Sequence, residues 1–434
     1  MTDQPAAAPA APAPAADHRP AAAASDDVRP NRTLGLLVVA HAVNHAQGVI
    51  LPLLFVAVID EFGVTPATIA FLAAAGGAAA GGIQLTFGLA TRLMPRRAIL
   101  AIGGVLFGGG FAAQAFAHGF GAFSVLNIVS RMGGAPQHAI GNGLLAEQFP
   151  RERRGFAISA HISGGNVGTL VVALVGAWML AALGWRTTVI VLGVPAVVLA
   201  LAVLVLVRES GSDRAAAVAH GNVRAAYRRI LRTPDLLWIF LTSVLGGGGR
   251  GLGVVNLFVL LYVGHVLRFD EGTTNLMYAA LVVLSVPAPL VAGWLSDRFG
   301  RRPLIVSVYV GGAIGFLVFI AAGSNLLGLW LGIAIMGVFS FAESPQLQAL
   351  MADLSPPEIR DVAFATYFTL AFGVGSLWTA LYGAIIDVAG ESAGLPIAFV
   401  LMSASFIAAA LTMIPVREPP SRGPEAIESV EAIA

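Results

Sequence analysis

The sequence predicts an all-α polytopic membrane protein, with twelve transmembrane helices in two six-helix halves. Three observations predict it. The 434 residues are 57% hydrophobic and only 11% charged, where a soluble domain carries about 25% charged residues. The apolar residues fall into stretches of the length a helix needs to cross a hydrocarbon core, roughly 20 residues. A charged segment at 293–302, GWLSDRFGRR, has an altered copy at 88–97, GLATRLMPRR, 205 positions earlier.

Twelve stretches can be counted along the chain. Helices 1 to 6 are expected at 33–59, 65–90, 97–117, 121–147, 155–182 and 186–207. Helices 7 to 12 are expected at 235–264, 272–292, 303–323, 326–352, 362–387 and 394–416. Residues 1–32 are Ala/Pro-rich and lack an apolar core, so a disordered tail is expected there and not a secretory signal. The chain then divides into this tail, a bundle at 33–207, a basic linker at 208–233, a second bundle at 234–416 and a tail at 417–434.

All 25 basic residues are arginine. With the N-terminus inside, 21 of them fall on inner segments, only Arg186 and Arg268 on outer ones, and Arg131 and Arg250 within spans. This asymmetry predicts cytoplasmic termini and an even number of spans in a cell membrane, most simply a bacterial inner membrane. The basic run from Arg224 to Arg232, with Tyr227 and Ile230, reads as an amphipathic helix on the inner membrane surface and not as a nucleic-acid site.

The halves are related along the sequence. A shift of 205 overlays the two charged loops and places His45 on Arg250; a shift of 206 overlays 149–154 on 355–360. Duplicated six-helix halves around a basic linker resemble the major facilitator superfamily, whose halves are related by an axis along the membrane normal. The segment 293–302 is similar to that superfamily's signature loop between the second and third helices of a half. The resemblance implies that helices 1, 4, 7 and 10 line a central cavity between two pseudo-symmetric bundles. It also implies that the two loops hold the cytoplasmic side closed, through Gly88, Arg92, Arg96 and Arg97 in one and Gly293, Asp297, Arg298, Gly300, Arg301 and Arg302 in the other.

A narrower resemblance is to fosmidomycin-resistance-type efflux transporters. It rests on His41, Asn44, Ile50-Leu51-Pro52 and Glu61-Phe62-Gly63, on Thr91 and Pro95, on His138, and on Gly164-Gly165-Asn166-Val167-Gly168. Ala371-Phe372-Gly373-Val374-Gly375, Gly383 and Asp387 extend it into helix 11. Two departures stand out. Arg92 occupies the position of an acid in the first loop, and Val171-Val172-Ala173 replaces the Gly-Pro that antiporter-type members carry late in helix 5. The loops are therefore expected to be unequal, with Asp297 mattering more to closure than anything within 88–97.

Ionisable side chains in a span cost about 2.5–3.5 kcal/mol on insertion scales, so they tend to face a cavity or function. His41, Asn44 and His45 share one face of helix 1, by their i, i+3, i+4 spacing. Histidine can both bind a solute and carry a proton, so the stripe is expected on the cavity, with a polar helix–helix contact as the alternative. Helix 4 carries Arg131, Gln137 and His138; Arg131 is a permanent charge that needs an anion or a ring of acceptors. Helix 7 places Arg250 in the run GGGGRGLG at 246–253, which suits either a bending, unwound helix or close packing of small residues. Helix 10 supplies Glu343 and Gln346, with Glu343 as a proton-coupling group or as a structural partner of Arg250 or Arg131. Asn166 of helix 5 and Asn256 of helix 7 complete the expected pathway, with His161 as a secondary candidate. Glycines at 77, 81 and 82 in helix 2, and at 104 and 108 in helix 3, read as packing.

Two arginines against one glutamate leave a positive surplus suited to a carboxylate, phosphonate or phosphate ester. The expected function is a secondary active transporter of a small anionic organic solute or drug, coupled to protons by alternating access, with efflux preferred. Uptake of an organic acid is the alternative within transport. A transport-silent receptor or sensor is the alternative from another class, but the tails and linker hold no signalling module. The absence of cysteine excludes disulfides and thiolate metal sites. No HExxH pair and no lysine-bearing phosphate loop is present, so neither a metalloenzyme nor an ATP-driven pump is expected, and a membrane-embedded enzyme of another kind is not expected either. The expected partners are the solute, protons and the lipid bilayer, with no cofactor, no metal and no nucleic acid, and the chain is expected to act as a monomer.

Overall fold

The computed structural model describes residues 28–418, and the expected tails lie almost wholly outside these residues. Helix 1 (Pro30–Phe62) starts on a proline, which needs no donor there, and stops at Gly63 in the left-handed conformation. Helix 2 (Pro66–Ile83) is capped by the Thr65 hydroxyl, which accepts from the Thr68 N–H at 3.2 Å; one tight turn carries it into Phe87–Leu93. Helix 3 is Arg96–Ala113. Helix 4 comes in two pieces, Phe120–Gly134 and Pro136–Gln148, joined where Pro136 removes a backbone donor. Helices 5 and 6 run together as Arg151–Leu206 and part at Gly184, whose φ of 70° only glycine adopts cheaply.

The second half repeats this order. Helix 7 is Pro234–Gly246, broken around Arg250 before it resumes at Asn256–Leu261. Helix 8 joins Glu271–Leu284 to Pro287–Phe299, and helix 9 is Arg301–Ala321. Helix 10 joins Leu326–Phe339 to Glu343–Leu354, helix 11 joins Arg360–Thr369 to Ser376–Ala389, and helix 12 is Glu391–Thr412. Nine described helical runs are long and apolar enough to cross a membrane. The twelve expected spans are recovered because helices 5 and 6 share one run and helices 4 and 7 are cut into shorter pieces.

Close packing follows the small residues. A Cβ on Gly104 would lie 2.7 Å from Ala200, and one on Gly108 2.7 Å from Ala196, so helix 3 seats on helix 6 as expected. The helix 2 glycines behave differently: a Cβ on Gly81 or Gly82 would meet nothing within 4 Å. They border open space and do not pack. Large apolar side chains such as Leu174, Trp178, Leu327 and Val388 point outward, the surface a hydrocarbon solvent suits.

Two short helices, Ser212–Ala219 and Val223–Ile230, form the linker. The second does not offer its apolar face to a membrane surface as the sequence suggested. Ala226 and Ile230 are buried and Tyr227 is part-buried in the main core, with the helix packed on helix 11. Both linker helices lie at the end of the bundle that holds the described termini, called the terminal end below.

Candidate functional site

A cavity of about 890 Å³ opens into the bundle. Helix 2 supplies the room, through the Ala/Gly run that includes Gly77, Gly81 and Gly82; Asn44, Gln47, Asn127, Arg131 and His138 supply the polar wall, and Thr369 and Phe372 of helix 11 close it from the other half. The Arg131 side chain lies across Gly76, where a Cβ would come within 2.5 Å of its Cδ. No carboxylate pairs with Arg131 among the described residues. Among the described residues, helices 7 and 10 contribute no lining to this cavity, and its described wall comes from helices 1, 2, 3, 4 and 11, which differs from the layout implied by the resemblance.

Behind His138, four histidines meet. The His41 ring centroid lies 4.6 Å from those of His45 and His138 and 4.4 Å from that of His161. Glycines make the space: a Cβ on Gly165 would lie 2.8 Å from the His45 ring, and one on Gly141 3.1 Å from His161. His41 Nδ1 donates to the His161 carbonyl at 2.7 Å. His161 Nδ1 bonds Asn142 Oδ1 at 2.7 Å, and its Nε2 lies 3.2 Å from Gln137 Nε2. Asn142 donates across the interface between the halves to Gln348, whose Nε2 donates to Ser344 Oγ at 2.9 Å; Ser344 Oγ in turn lies 3.2 Å from the Tyr367 hydroxyl. A chain of polar side chains thus leads from the histidines into the second half.

At its far end sit Arg250 and Glu343. Backbone at Arg250 is extended, ψ 133°, and the next N–H, of Gly251, donates to the Ser340 carbonyl at 2.9 Å. Helix 7 is therefore unwound at Arg250 and stitched to the break in helix 10. The same glycines also pack closely: a Cβ on Gly251 would lie 2.6 Å from the Phe341 ring. The unwound and close-packed readings of this run both hold. Arg250 Nε donates to Glu343 Oε1 at 2.7 Å, and the Tyr309 hydroxyl donates to Oε2 at 3.0 Å. Glu343 is fully buried. Its partner is Arg250 and not Arg131.

The terminal end is closed by ion pairs. Asp297 accepts from the backbone N–H groups of Gly155 at 2.9 Å and Phe156 at 2.8 Å, in the second turn of helix 5, and from Arg301 at 2.8 Å. A carboxylate near this end of the helix complements the positive end of its dipole. Arg301 also pairs with Asp353, which Arg154 reaches from the other half. Gly293 lets helix 8 approach helix 5, where a Cβ would lie 2.6 Å from Ser159 Oγ.

In the first loop, Gly88 plays the equivalent part against Val362 of helix 11, at 2.8 Å. Arg96 pairs with Glu147, with Asp213 at 3.0 Å and with Asp361 at 2.8 Å, at only 4% side-chain exposure. Asp213 also pairs with Arg360 at 2.6 Å. Arg92 turns away from the interface and donates to the Ala217 and Gly221 carbonyls of the linker. The expectation that 88–97 matters less than Asp297 has no support in this geometry, because the linker acid Asp213 enters where the loop lacks one.

The remaining expected residues divide. Arg97 donates to the Val207 carbonyl at 3.2 Å, and Arg302 to that of Met413 at 3.0 Å. Gly300 turns the chain at φ 96° between helices 8 and 9. Arg298 is exposed and lies 5.0 Å over the Trp294 ring, apart from the ion pairs. Asn166 donates to the Ser285 carbonyl at 2.7 Å and Gln346 to Ser159 Oγ at 2.9 Å; both tie the halves together and neither lines the cavity. Asn256, too, lies off the cavity wall. Sequence reading missed Asn142, Glu147, Asp213, Tyr309, Asp353 and Asp361. The 206-residue shift overlays Glu147 on Asp353 and so carries a signal for that pair.

A twelve-helix bundle in two halves, with a polar cavity and ion-paired loops, is a transporter architecture. The model of the Major Facilitator Superfamily matches the chain twice, at residues 37–263, which take in the first half, the linker and helix 7, and at residues 249–433. The chain belongs to the Major Facilitator Superfamily and is a multi-pass membrane transporter, not an enzyme. It is 28% identical to a Na(+), Li(+), K(+)/H(+) antiporter of Planococcus maritimus over 30% of the chain and 31% of that protein. It is 24% identical to a gallate transporter of Pseudomonas putida over 62% of the chain and 66% of that protein. The fold is similar to that of the proton:xylose symporter XylE, with a TM-score of 0.73, 17% identity and coverage of 92% and 98% of the two chains.

Proposed function

We propose that this transporter carries a small anionic organic solute, coupled to protons, by alternating access about the cavity. The observation that carries the reading is the contrast between the two membrane arginines. Arg250 is neutralised by Glu343, whereas Arg131 stands on the cavity wall with no carboxylate partner among the described residues. A fixed cation in a low-dielectric cavity favours an anion, and guanidinium matches a carboxylate, phosphonate or phosphate in geometry as well as charge. The gallate transporter among the relatives is named for a carboxylate, which supports the reading.

Proton coupling is assigned to Glu343, buried between Arg250 and Tyr309, with the polar chain through Ser344, Gln348 and Asn142 as the link to the histidines of the first half. The terminal end is the cytoplasmic gate of a cell-membrane protein, by the arginine asymmetry. The transport unit is the monomer, with bundles at 33–207 and 234–416 joined by the linker at 208–233. Efflux is preferred, on the resemblance of His41, Asn44, His138 and 164–168 to the fosmidomycin-resistance type.

Counterflow in proteoliposomes tests the charge argument. Anions are expected to exchange and lipophilic cations not, and Arg131→Gln should abolish anion exchange; flux of cations alone would overturn the reading. Glu343→Gln is expected to keep exchange and lose pH-driven accumulation. Full accumulation in that variant removes Glu343 from the coupling role.

A further inference from the structure

The histidine cluster goes beyond what anion transport requires. His41, His45 and His138 each bring a ring nitrogen to within 4.8 Å of the other two. We propose that these three residues bind a divalent transition-metal ion of the zinc, cobalt or nickel class, contrary to the expectation of no metal drawn from the sequence.

Protonation states support it. A backbone carbonyl can only accept, so the 2.7 Å contact of His41 Nδ1 with the His161 carbonyl places the ring proton on Nδ1. Nε2 then presents a lone pair. It is buried and has no partner, and the same holds for His138 Nδ1. Two orphaned imidazole nitrogens in one cluster are a cost that a shared cation removes. The carbonyl contact is also the outer-shell partner that metal-binding histidines use to fix tautomer and ring orientation. His45 Nδ1 has a similar hydroxyl neighbour, Thr169 Oγ1, at 3.3 Å.

The fourth histidine is excluded from ligation. Both nitrogens of His161 are occupied, by Asn142 and Gln137. It serves as a wall and as the residue whose carbonyl aims His41. Three imidazoles and no carboxylate suit a borderline metal, whereas calcium and magnesium require oxygen donors. Bonds of about 2.0–2.1 Å in tetrahedral geometry place ligand nitrogens about 3.4 Å apart, so small ring rotations draw the three together. Three protein ligands leave a fourth position, and His138 borders the cavity that holds Arg131. Water or a solute oxygen would fill that position.

The test uses the full chain in detergent, with its affinity tag removed and chelator dialysed away. Titration with Co2+ is followed by visible ligand-field absorption, and bound metal is counted by mass spectrometry. One Co2+ per chain is expected, displaced by Zn2+, with binding weakened at least about tenfold in His45→Ala and in His138→Ala. His220→Ala, at an exposed histidine of the linker, is expected to bind as the unaltered protein does. Zn2+ is also expected to raise the unfolding temperature of the unaltered protein and not of His45→Ala. No Co2+ bound by the unaltered protein overturns the proposal, as does equal binding by a folded His45→Ala/His138→Ala double variant. Because no solute is present, either result leaves the anion reading to its own test.

Discussion

The two charged loops at the terminal end hold the same place in their halves and work by different chemistry. Their common plan is close. An acid after the last helix of each half caps the first turn of its third helix: Glu209 accepts from Arg96 N–H and Arg97 N–H, and Glu418 accepts from Arg301 N–H and Arg302 N–H. Arg96 pairs with Glu147 as Arg301 pairs with Asp353. Two positions differ: Asp361 of helix 11, which pairs with Arg96, falls on Gly155 in the 206-residue shift, and Arg92 falls on Asp297 in the 205-residue shift. Asp297 holds the start of helix 5, whereas Arg92, its counterpart, cannot accept a hydrogen bond and points to the linker. The missing acid is supplied from outside the repeat by Asp213, which bridges Arg96 and Arg360. The comparison teaches that a duplicated fold can lose a contact in one copy when the segment joining the copies replaces it.

Breaking each latch in turn should rank the contacts. The chain has no cysteine, so a single Ala363→Cys, at a fully buried site on helix 11, reports opening by its labelling with a water-soluble maleimide. Arg96→Ala is expected to act most strongly, because it removes the shared partner of three nearly unexposed carboxylates, of which only Asp213 keeps another arginine, Arg360. Removing one partner of a buried pair costs about 3–5 kcal/mol, enough to expose the cysteine and lower the unfolding temperature. Asp297→Ala should follow, at about 2–3 kcal/mol, for its lost charge-assisted bonds to Gly155 and Phe156. Asp297→Arg should impair transport while leaving a folded protein, as a normal elution profile with reduced flux would show; normal flux would remove Asp297 from closure. Arg92→Ala should cost about 1 kcal/mol or less, since it loses only carbonyl contacts near the surface. Arg298→Ala should stay within about 0.5 kcal/mol, and strong labelling there would contradict its placement outside the ion pairs.

Much of the fold was legible because length and hydropathy are enough to define a membrane span. The breaks were less so. Glycines around Arg250 and the proline after Glu343 hint at irregular backbone, but only the Gly251 to Ser340 hydrogen bond joins the two breaks. The site was legible residue by residue and not as a constellation. His41 and His45 announce themselves by spacing on one helix, whereas their meeting with His138 and His161 depends on how helices 1, 4 and 5 cross. The cavity wall differs from expectation for a related reason. The helix 2 glycines look like packing residues in sequence, and only their neighbours decide that they border space. Asp213 gave no signal because it lies in the linker, outside both copies of the repeat.

Replacement of the missing loop acid by the linker is tested most directly by Asp213→Asn in the Ala363→Cys background, compared with Asp297→Asn. The change removes one charge and leaves size and surroundings nearly intact. Labelling is expected to rise in both variants to a similar degree, with a double variant more open than either. Labelling of Asp213→Asn at the level of the unaltered latch, while Asp297→Asn opens, would contradict the account and return closure to the second loop alone.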